Sequence, residues 1–505
     1  MKNTIRVIVF ILVIGAVLFA TQGLWEGWLL GSISIFFTIS VVFIAFLISL
    51  ENRHPTRTLT WLVVLGSFPV LGFFFYLIFG RNVRKRRLFQ RKALLDKEVL
   101  EEVEGTPEYT EEDMRLLDES KKGIFQLSQN IGRSPISFDT ETVVLTNGNQ
   151  TFTRILEEIS KAKHHIHFEY YIVRDDEIGT QIKDLLIEKA KSGVQVRFLF
   201  DAVGSFQLGS KYIKELRAAG VEIVSFSPVR VPVFNNKINF RNHRKIIVVD
   251  GDVGFVGGLN IGDEYLGRDE YFGFWRDTHL YVRGEAVRTL QLIFLQDWYY
   301  ATDESLLTPS YLTPALANKD GKKYGGVQMI AGGPDQEWEV IKSLYFSMIT
   351  SARKSIWIAS PYFVPDDDIF TALKVAALSG LDVRLLVPKR PDKRIVYYAS
   401  RSYFPEMMDA GVKIFQYEKG FLHSKVVVVD EQVASIGTAN MDMRSFHLNF
   451  EVNAFLYNTE SVITLVEDYE QDLHDAKPIA KEVFANRPFY QKVFESLARL
   501  ASPLL

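Results

Sequence analysis

Apolar and polar positions sort this chain into stretches of very different character. Residues 7–50 carry one charged side chain, Glu26, and residues 59–80 carry none. A helix needs about 20 apolar residues to cross a bilayer core. The pattern therefore predicts transmembrane helices over 7–25, 28–50 and 59–80. The first of these reads alternatively as a signal-peptide core, leaving two spans, although no A-x-A cleavage site follows it. Immediately afterwards come Arg81, Arg84, Lys85, Arg86, Arg87, Arg91 and Lys92 with no acid among them. Such a run belongs on the cytoplasmic side of a membrane and attracts anionic lipid head groups. The rest of the chain is then expected in the cytoplasm. Three spans place Lys2 and Arg6 outside, against the same rule. An acidic stretch over 96–119 (Glu101, Glu102, Glu104, Glu111, Glu112, Asp113) follows as a solvated helical linker.

Beyond the linker the pattern repeats itself. Ile166-His167-Phe168-Glu169-Tyr170-Tyr171-Ile172-Val173 is an apolar run followed by an acidic turn and a helical stretch, and Ile356-Trp357-Ile358-Ala359-Ser360-Pro361-Tyr362-Phe363-Val364 begins the same succession. Gly-opened strands come next, at 193–200 and 380–387, then a helix and a shorter strand, at 220–223 and 411–414. Alternating strands and helices argue an α/β fold with a largely parallel sheet in each half. Two such halves pack about a pseudo-twofold axis. The division expected is 1–80 transmembrane, 81–130 linker, 131–315 first half and 316–505 second half.

Composition narrows the chemistry. The chain has 505 residues and net charge −3, a near-neutral balance that gives no support for a nucleic-acid partner. It has no cysteine, which excludes disulfides and thiolate metal sites.

Each half then reaches the same motif, H-x-K-x4-D: His243, Lys245, Asp250 in one, His423, Lys425, Asp430 in the other. An Asn follows at the same spacing in both, Asn260 and Asn440, and two such patterns do not arise by chance among nine His. On a strand, residues two apart share a face. His243 points with Lys245 and His423 with Lys425, whereas Asp250 and Asp430 have the opposite parity. The aspartates, though part of the candidate catalytic motif, are therefore assigned to holding a strand end. One imidazole can attack phosphorus and the other, protonated, can serve the leaving alkoxide. Lys245, Lys425, Asn260 and Asn440 suit the phosphate oxygens, so the scheme needs no metal and no cofactor. A carboxylate to orient each imidazole is offered by Asp277 and Glu451, at equivalent places of the two halves. An ordinary strand-end acid is the competing reading for either.

These motifs, with Gly257-Gly258-Leu259-Asn260 and Gly437-Thr438-Ala439-Asn440, resemble those of the phospholipase D superfamily. Longer strings (Asn242-His243-Arg244-Lys245-Ile246, Pro361-Tyr362-Phe363-Val364-Pro365-Asp366, and 439–446 through Asn449-Phe450-Glu451-Val452) are similar to bacterial cardiolipin synthases, as is the membrane stretch 61–81. The resemblance implies two phospholipase D-like α/β/α halves sharing one active site. It implies phosphatidyl transfer between two phosphatidylglycerol molecules, giving cardiolipin and glycerol. It further implies His243 as nucleophile, His423 as acid/base, and crossed pairing of Asp277 with His423 and Glu451 with His243. Gly-Gly in one half and Gly-Thr-Ala in the other make the phosphate surroundings inequivalent. A hydrolytic phospholipase D or nuclease of the same fold, and a scaffold with a degenerate site, are the competing functions.

Other residues invite a role. His164, His165 and His167 suggest a metal, but only His165 and His167 share a face, no acid or Cys completes a set, and a structural role is preferred. Phe234, Phe240 and 228–233 form either a lip toward lipid or a packed loop. The terminal 489–505 has apolar residues at helical spacing (Phe494, Leu497, Leu500) with Lys492 and Arg499 opposite. It reads as a docked terminal helix, with a membrane-interface helix as the alternative.

Overall fold

A computed structural model describes residues 117–226, 239–312 and 324–504, the helix Pro55–Ser67, and positions 39, 40, 42, 44–46, 72, 92 and 115. The chain forms two compact units, Met1–Arg84 and Lys85–Leu505. In the first, the helix opens at Pro55, where a missing N–H costs nothing, and runs through Trp61 and Leu65 to Ser67. Among the described residues no helix is long and apolar enough to cross a membrane. The expected span 7–25 and most of 28–50 and 59–80 lie outside the described residues, as do the acidic positions 101–113.

The second unit contains two mixed sheets. The first half supplies β1 (Glu141–Thr146), β2 (His165–Tyr170), β3 (Gln195–Asp201), β4 (Glu222–Phe226), β5 (Ile246–Val249), β6 (Val253–Gly257), β7 (Phe274–Arg276) and β8 (Thr278–Arg283). The second half supplies β9 (Gly326–Gly332), β10 (Ser355–Ala359), β11 (Phe363–Val364), β12 (Asp382–Pro388), β13 (Lys413–Tyr417), β14 (Gly420–Leu422), β15 (Val426–Val429), β16 (Val433–Gly437), β17 (Met441–Asp442), β18 (Glu451–Tyr457) and β19 (Ala476–Pro478). The first sheet runs β1-β8-β6-β5-β2-β3-β4 and the second β9-β18-β16-β15-β10-β12-β13-β19. Apart from the extra edge strand β19, the orders coincide strand for strand, as the sequence repeat predicts.

The expected largely parallel sheets are not found. Only β2-β3-β4 and β10-β12-β13 run parallel, and every other neighbour in these two sheets is antiparallel. The reason lies at the end of each motif strand. Asp250 (φ 53°) and Gly251 (φ 72°), and likewise Asp430 (φ 56°) and Glu431 (φ 58°), are left-handed. Two successive positive φ values make a tight hairpin, so β5 returns as β6 and β15 as β16 without a crossover helix.

All-apolar strands are explained by burial on both faces. Ile246 and Val248 of β5 and Val426 and Val428 of β15 meet in one core between the sheets. The alternate residues, Ile247 and Val249, or Val427 and Val429, face the outer helices of their own half. Those helices are Asn147–Lys161, Glu177–Lys191 and Ser210–Ala218 in the first half. Val340–Ser351, Asp367–Leu378 and Arg394–Asp409 take that place in the second. The helix Glu119–Gly132 precedes the first half in sequence but packs Ile124 and Phe125 into the core of the second.

His165 and His167 share a face and both reach Gln291, at 3.1 and 2.6 Å, while His167 stacks on Phe294. Among the described residues no His, Asp or Glu cluster is arranged to hold a metal. Phe240 is buried; Phe234 and 228–233 lie outside the described residues.

The two motif aspartates sit at the hairpins, at the far end of the strand from the histidines. Asp250 accepts the amides of Lys163, His164 and His165, each at 2.8 Å. Asp430 accepts those of Arg353, Lys354 and Ser355 and also pairs with buried Lys121 at 2.6 Å. Burial tends to raise the Asp430 carboxyl, but Lys121 and the three amides hold it below its ordinary value of 3.8. Its contribution to stability is thus present above that ordinary value and is lost as pH falls through the lower, folded one. Asp430→Asn strands a buried ammonium, so a loss of about 3 kcal/mol is expected, read as a drop in thermal midpoint. Asp250→Asn, with no lysine to strand, should cost clearly less.

Candidate active site

Each histidine lies just ahead of its motif strand, and a short ladder ties it to the other half. Strands β14 and β7 pair in parallel, with Phe421 opposite Trp275 and Leu422 opposite Arg276, and the His423 amide donates to the Arg276 carbonyl at 2.7 Å. The other crossing mirrors it. Asn242 bridges Phe450, and the His243 amide donates to the Phe450 carbonyl at 2.9 Å. In both, the residue after the accepting carbonyl is a carboxylate. Asp277 is thereby delivered to His423, with Oδ2 2.6 Å from Nδ1, and Glu451 to His243, with Oε2 2.8 Å from Nδ1. A carboxylate on Nδ1 leaves Nε2 as the working nitrogen of each ring.

Lys245 donates to the His243 carbonyl at 2.6 Å and Lys425 to the His423 carbonyl. Lys425 Nζ also lies 2.7 Å from His423 Nδ1. An ammonium and a carboxylate thus face the same nitrogen. A neutral His423 can accept from Lys425 at Nδ1; once the ring is protonated, Nδ1–H donates to Asp277 and Lys425 keeps its bond to the His423 carbonyl.

Burial, then lysine charge, sets the electrostatics. His243 is held well below the ordinary imidazole range by burial and by Lys245 and Lys425; burial and Lys425 bring His423 to about 4. Each ring thus feels the lysine of the opposite motif. Burial also lowers Lys245 to about 7 and Lys425 to about 8. The two carboxylates differ. Glu451 is pushed by burial to about 7, while for Asp277 the lysine and imidazole of His423's motif outweigh burial and keep it low.

The hydrogen bonds around the two carboxylates differ as well, although those to Glu451 work against its rise and burial outweighs them. Thr438 donates to Glu451 at 2.6 Å, while Asn449 holds the other oxygen at 3.1 Å. The first-half counterpart of Thr438 is Gly258, where a Cβ would stand 2.1 Å from Asp277 Oδ1. Asp277 takes instead the Thr278 amide at 2.8 Å. The asparagines are unlike as well. Asn260 accepts the Ile172 amide at 3.1 Å and reaches Tyr265 at 3.2 Å. Asn440 Oδ1 is buried with no hydrogen-bond partner among the described residues.

Several residues of this region were not foreseen from sequence. Tyr171 stands edge-on to His243 at 4.9 Å, and its repeat counterpart Tyr362 bonds Asp392 beside the second motif. Arg244, between the motif His and Lys, is buried against Asp297 and also donates to the carbonyls of Glu451 and Gly332. Lys92, from the basic run, is buried between Asp297 and Asp335 at 3.1 Å from each. Neither long-range partnership leaves a spacing signal in the chain.

Comparison with known proteins places these features. A family model described as cardiolipin synthase, PLD-like domain, matches residues 155–298 and 345–474. A second, phospholipase D-nuclease N-terminal, matches 33–81. The cardiolipin synthase of Geobacillus sp. (strain WCH70) is 67% identical over 505 residues, all of both chains. That of Halalkalibacterium halodurans is 61% identical over the same full length, and cardiolipin synthase 2 of Bacillus anthracis is 62% identical over 93% of this chain and 91% of its own. Among solved structures, phosphatidylserine synthase of Haemophilus influenzae Rd KW20 aligns with TM-score 0.57 at 16% identity, covering 76% of this chain and all of that one, a likeness of fold.

Lys92→Met leaves Asp297 and Asp335 buried without their ammonium. A loss of about 3–5 kcal/mol is expected, seen as a lower thermal midpoint, with Lys92→Arg losing less.

Proposed function

The chain belongs to the cardiolipin synthases of the phospholipase D superfamily, and from that premise we propose that it joins two phosphatidylglycerol molecules into cardiolipin and glycerol. The observation that carries the mechanism is the crossed pairing of two motif histidines with unlike carboxylates. Nε2 of His243 attacks the phosphorus of one phosphatidylglycerol. The bond from phosphorus to the head-group glycerol oxygen breaks, and His423 gives that oxygen its proton. The terminal hydroxyl of a second phosphatidylglycerol then gives its proton to His423 and attacks phosphorus, breaking the P–N bond.

The division of roles follows from charge. A nucleophile must be neutral, and His243 sits against two lysines and a carboxyl near 7. An acid must hold an imidazolium, and His423 faces Asp277, the carboxylate kept ionised. A bound phosphodiester adds negative charge, raising His423 from its empty-site value and recharging Lys245 and Lys425. The two lysines neutralise the oxygens on which charge accumulates. Asn440 and Asn260 complete the phosphate surroundings through their Nδ2 donors. Asp250 and Asp430 serve by holding the motif strands. The apolar stretches 7–25, 28–50 and 59–80 and the basic run after them support a multi-pass anchor in a bacterial cell membrane with the catalytic unit in the cytoplasm.

Product analysis tests the reading. Purified protein in vesicles of phosphatidylglycerol alone should form cardiolipin and release equimolar glycerol; phosphatidic acid as sole product would replace transfer by hydrolysis. His243→Ala and His423→Ala should each abolish turnover.

The unlike carboxylates make a sharper test. Asp277→Asn removes an ionised partner and should cost about 1,000-fold in kcat, about 4 kcal/mol. Glu451→Gln replaces a group already half-protonated near pH 7 and should cost no more than about 30-fold. As pH rises through 7 to 8, Lys245 and Lys425 lose their protons in the empty site. Their attraction for a phosphodiester anion weakens, so kcat/KM should fall on the alkaline side, with KM rising before kcat drops.

A further inference from the structure

The terminal helix Phe489–Leu500 is mounted the wrong way round for a soluble protein. A helix docked on a globular surface ordinarily buries its apolar stripe. Here Glu495 is 1% exposed, while Phe489 is 80%, Leu500 76%, Leu497 57% and Phe494 53% exposed. The inward face is held by charge. Glu495 takes Arg401 at 2.9 Å and Arg487 at 2.6 Å, and Arg499 lies over the Tyr403 ring at 4.4 Å. Buried ion pairs fix orientation rather than add much stability, so the chain uses a costly polar contact to keep an apolar face outward. A patch of this kind marks an interaction surface.

Its position tells what it meets. The helix packs along Arg394–Asp409, and Phe494 lies 5.7 Å from Tyr398. The N-terminal end of that supporting helix borders the active site. Lys393 stands over the Tyr362 ring at 5.4 Å and adds to the positive field on His243. Around it Lys389, Arg390, Lys393 and Arg394 are exposed, with Asp392 among them and Glu418 paired to Lys389, and Lys492 is exposed on the terminal helix itself. An apolar face beside a basic rim, next to the site, complements the head-group and acyl boundary of an anionic bilayer.

We propose that the outward face of Phe489–Leu500 inserts into the surface of an anionic phospholipid bilayer and holds the active-site mouth against the membrane that contains its substrate. The inference rests on the lipid-substrate reading above, and its test separates the two. Since the chain has no cysteine, single labels are unambiguous. Full-length Phe494→Cys, Leu497→Cys and Ser496→Cys carry a nitroxide in vesicles of phosphatidylglycerol and phosphatidylcholine.

Labels at 494 and 497 should be at least five-fold more accessible to oxygen than to a water-soluble nickel relaxant, with 496 the reverse. Equal aqueous access at all three positions overturns the proposal. Dipolar broadening between labels would assign the face to a second copy and overturn it as well. In parallel, the double variant Phe494→Asp, Leu497→Asp should lose about ten-fold in turnover on vesicles. On monomeric short-chain phosphatidylglycerol it should stay within two-fold of the parent. Equal loss on both substrates would make the helix a support of the site and count against insertion. The labels report docking whether the product is cardiolipin or phosphatidic acid, so failure of the synthase reading leaves this result standing.

Discussion

Everything in the catalytic unit depends on two short crossings of main chain. At each, the amide of a motif histidine donates to the carbonyl of the other half, 2.7 Å at His423 and 2.9 Å at His243. Side chains alternate along an extended segment, so a slip of one residue would turn the carboxylate away from its imidazole. Register at these crossings therefore decides whether a site exists at all. The shared core between the sheets keeps the register, since Ile246, Val248, Val426 and Val428 come together only when the halves are docked in this one way. Neither half contains a complete histidine–carboxylate pair, so folding of the whole unit and assembly of the site are a single event.

The cost of that arrangement is a dense group of charges out of water. Lys245, Lys425, Asp277 and Glu451 are all buried, and behind them Arg244 meets Asp297 while Lys92 meets Asp297 and Asp335. Ions removed from water and imperfectly paired relax by changing protonation. The lysines near 7 and 8 and the glutamic acid near 7 show that relaxation. Asp277 is the ionised acid of this site, and in the proposed scheme a phosphodiester adds the further negative charge that the buried lysines lack. In the proposed scheme substrate binding recharges the two lysines, while it favours the neutral form of Glu451 still further.

Much of this was legible in the chain, and for identifiable reasons. The repeat, the two-residue spacing of His and Lys, and the opposite parity of Asp250 and Asp430 are local, so they survive in one dimension. The likeness of the two halves followed from the repeat, but strand direction did not. The hairpins after β5 and β15 rest on left-handed Asp250 and Asp430, residues read for their carboxylates rather than for their backbone. The ionic support behind the site was invisible. Lys92, Arg244, Asp297 and Asp335 are far apart in sequence and meet by folding alone. Lys92 read as one more charge in a membrane flank, yet it is buried behind the first motif. The terminal helix was half legible, because periodicity reveals an apolar stripe but not which way the stripe faces. The buried partners of Glu495, Arg401 and Arg487, decide that.

A duplicated fold poses a problem that the sheets cannot solve, since a two-step transfer needs one histidine to attack and the other to carry protons. Two identical halves would leave the roles interchangeable. One break in symmetry sits at the equivalent positions Gly258 and Thr438. Glycine lets the Asp277 carboxylate press against the loop, where a Cβ would collide at 2.1 Å. Threonine instead donates to Glu451 at 2.6 Å, which by itself lowers that carboxyl, and burial outweighs the bond to bring it to about 7. The shorter acid stays ionised beside His423 and favours an imidazolium; the longer one leaves His243 uncharged between two lysines. The crossed pairing alone makes the two histidines alike, so in the proposed assignment it is the distribution of charge around them that separates nucleophile from acid.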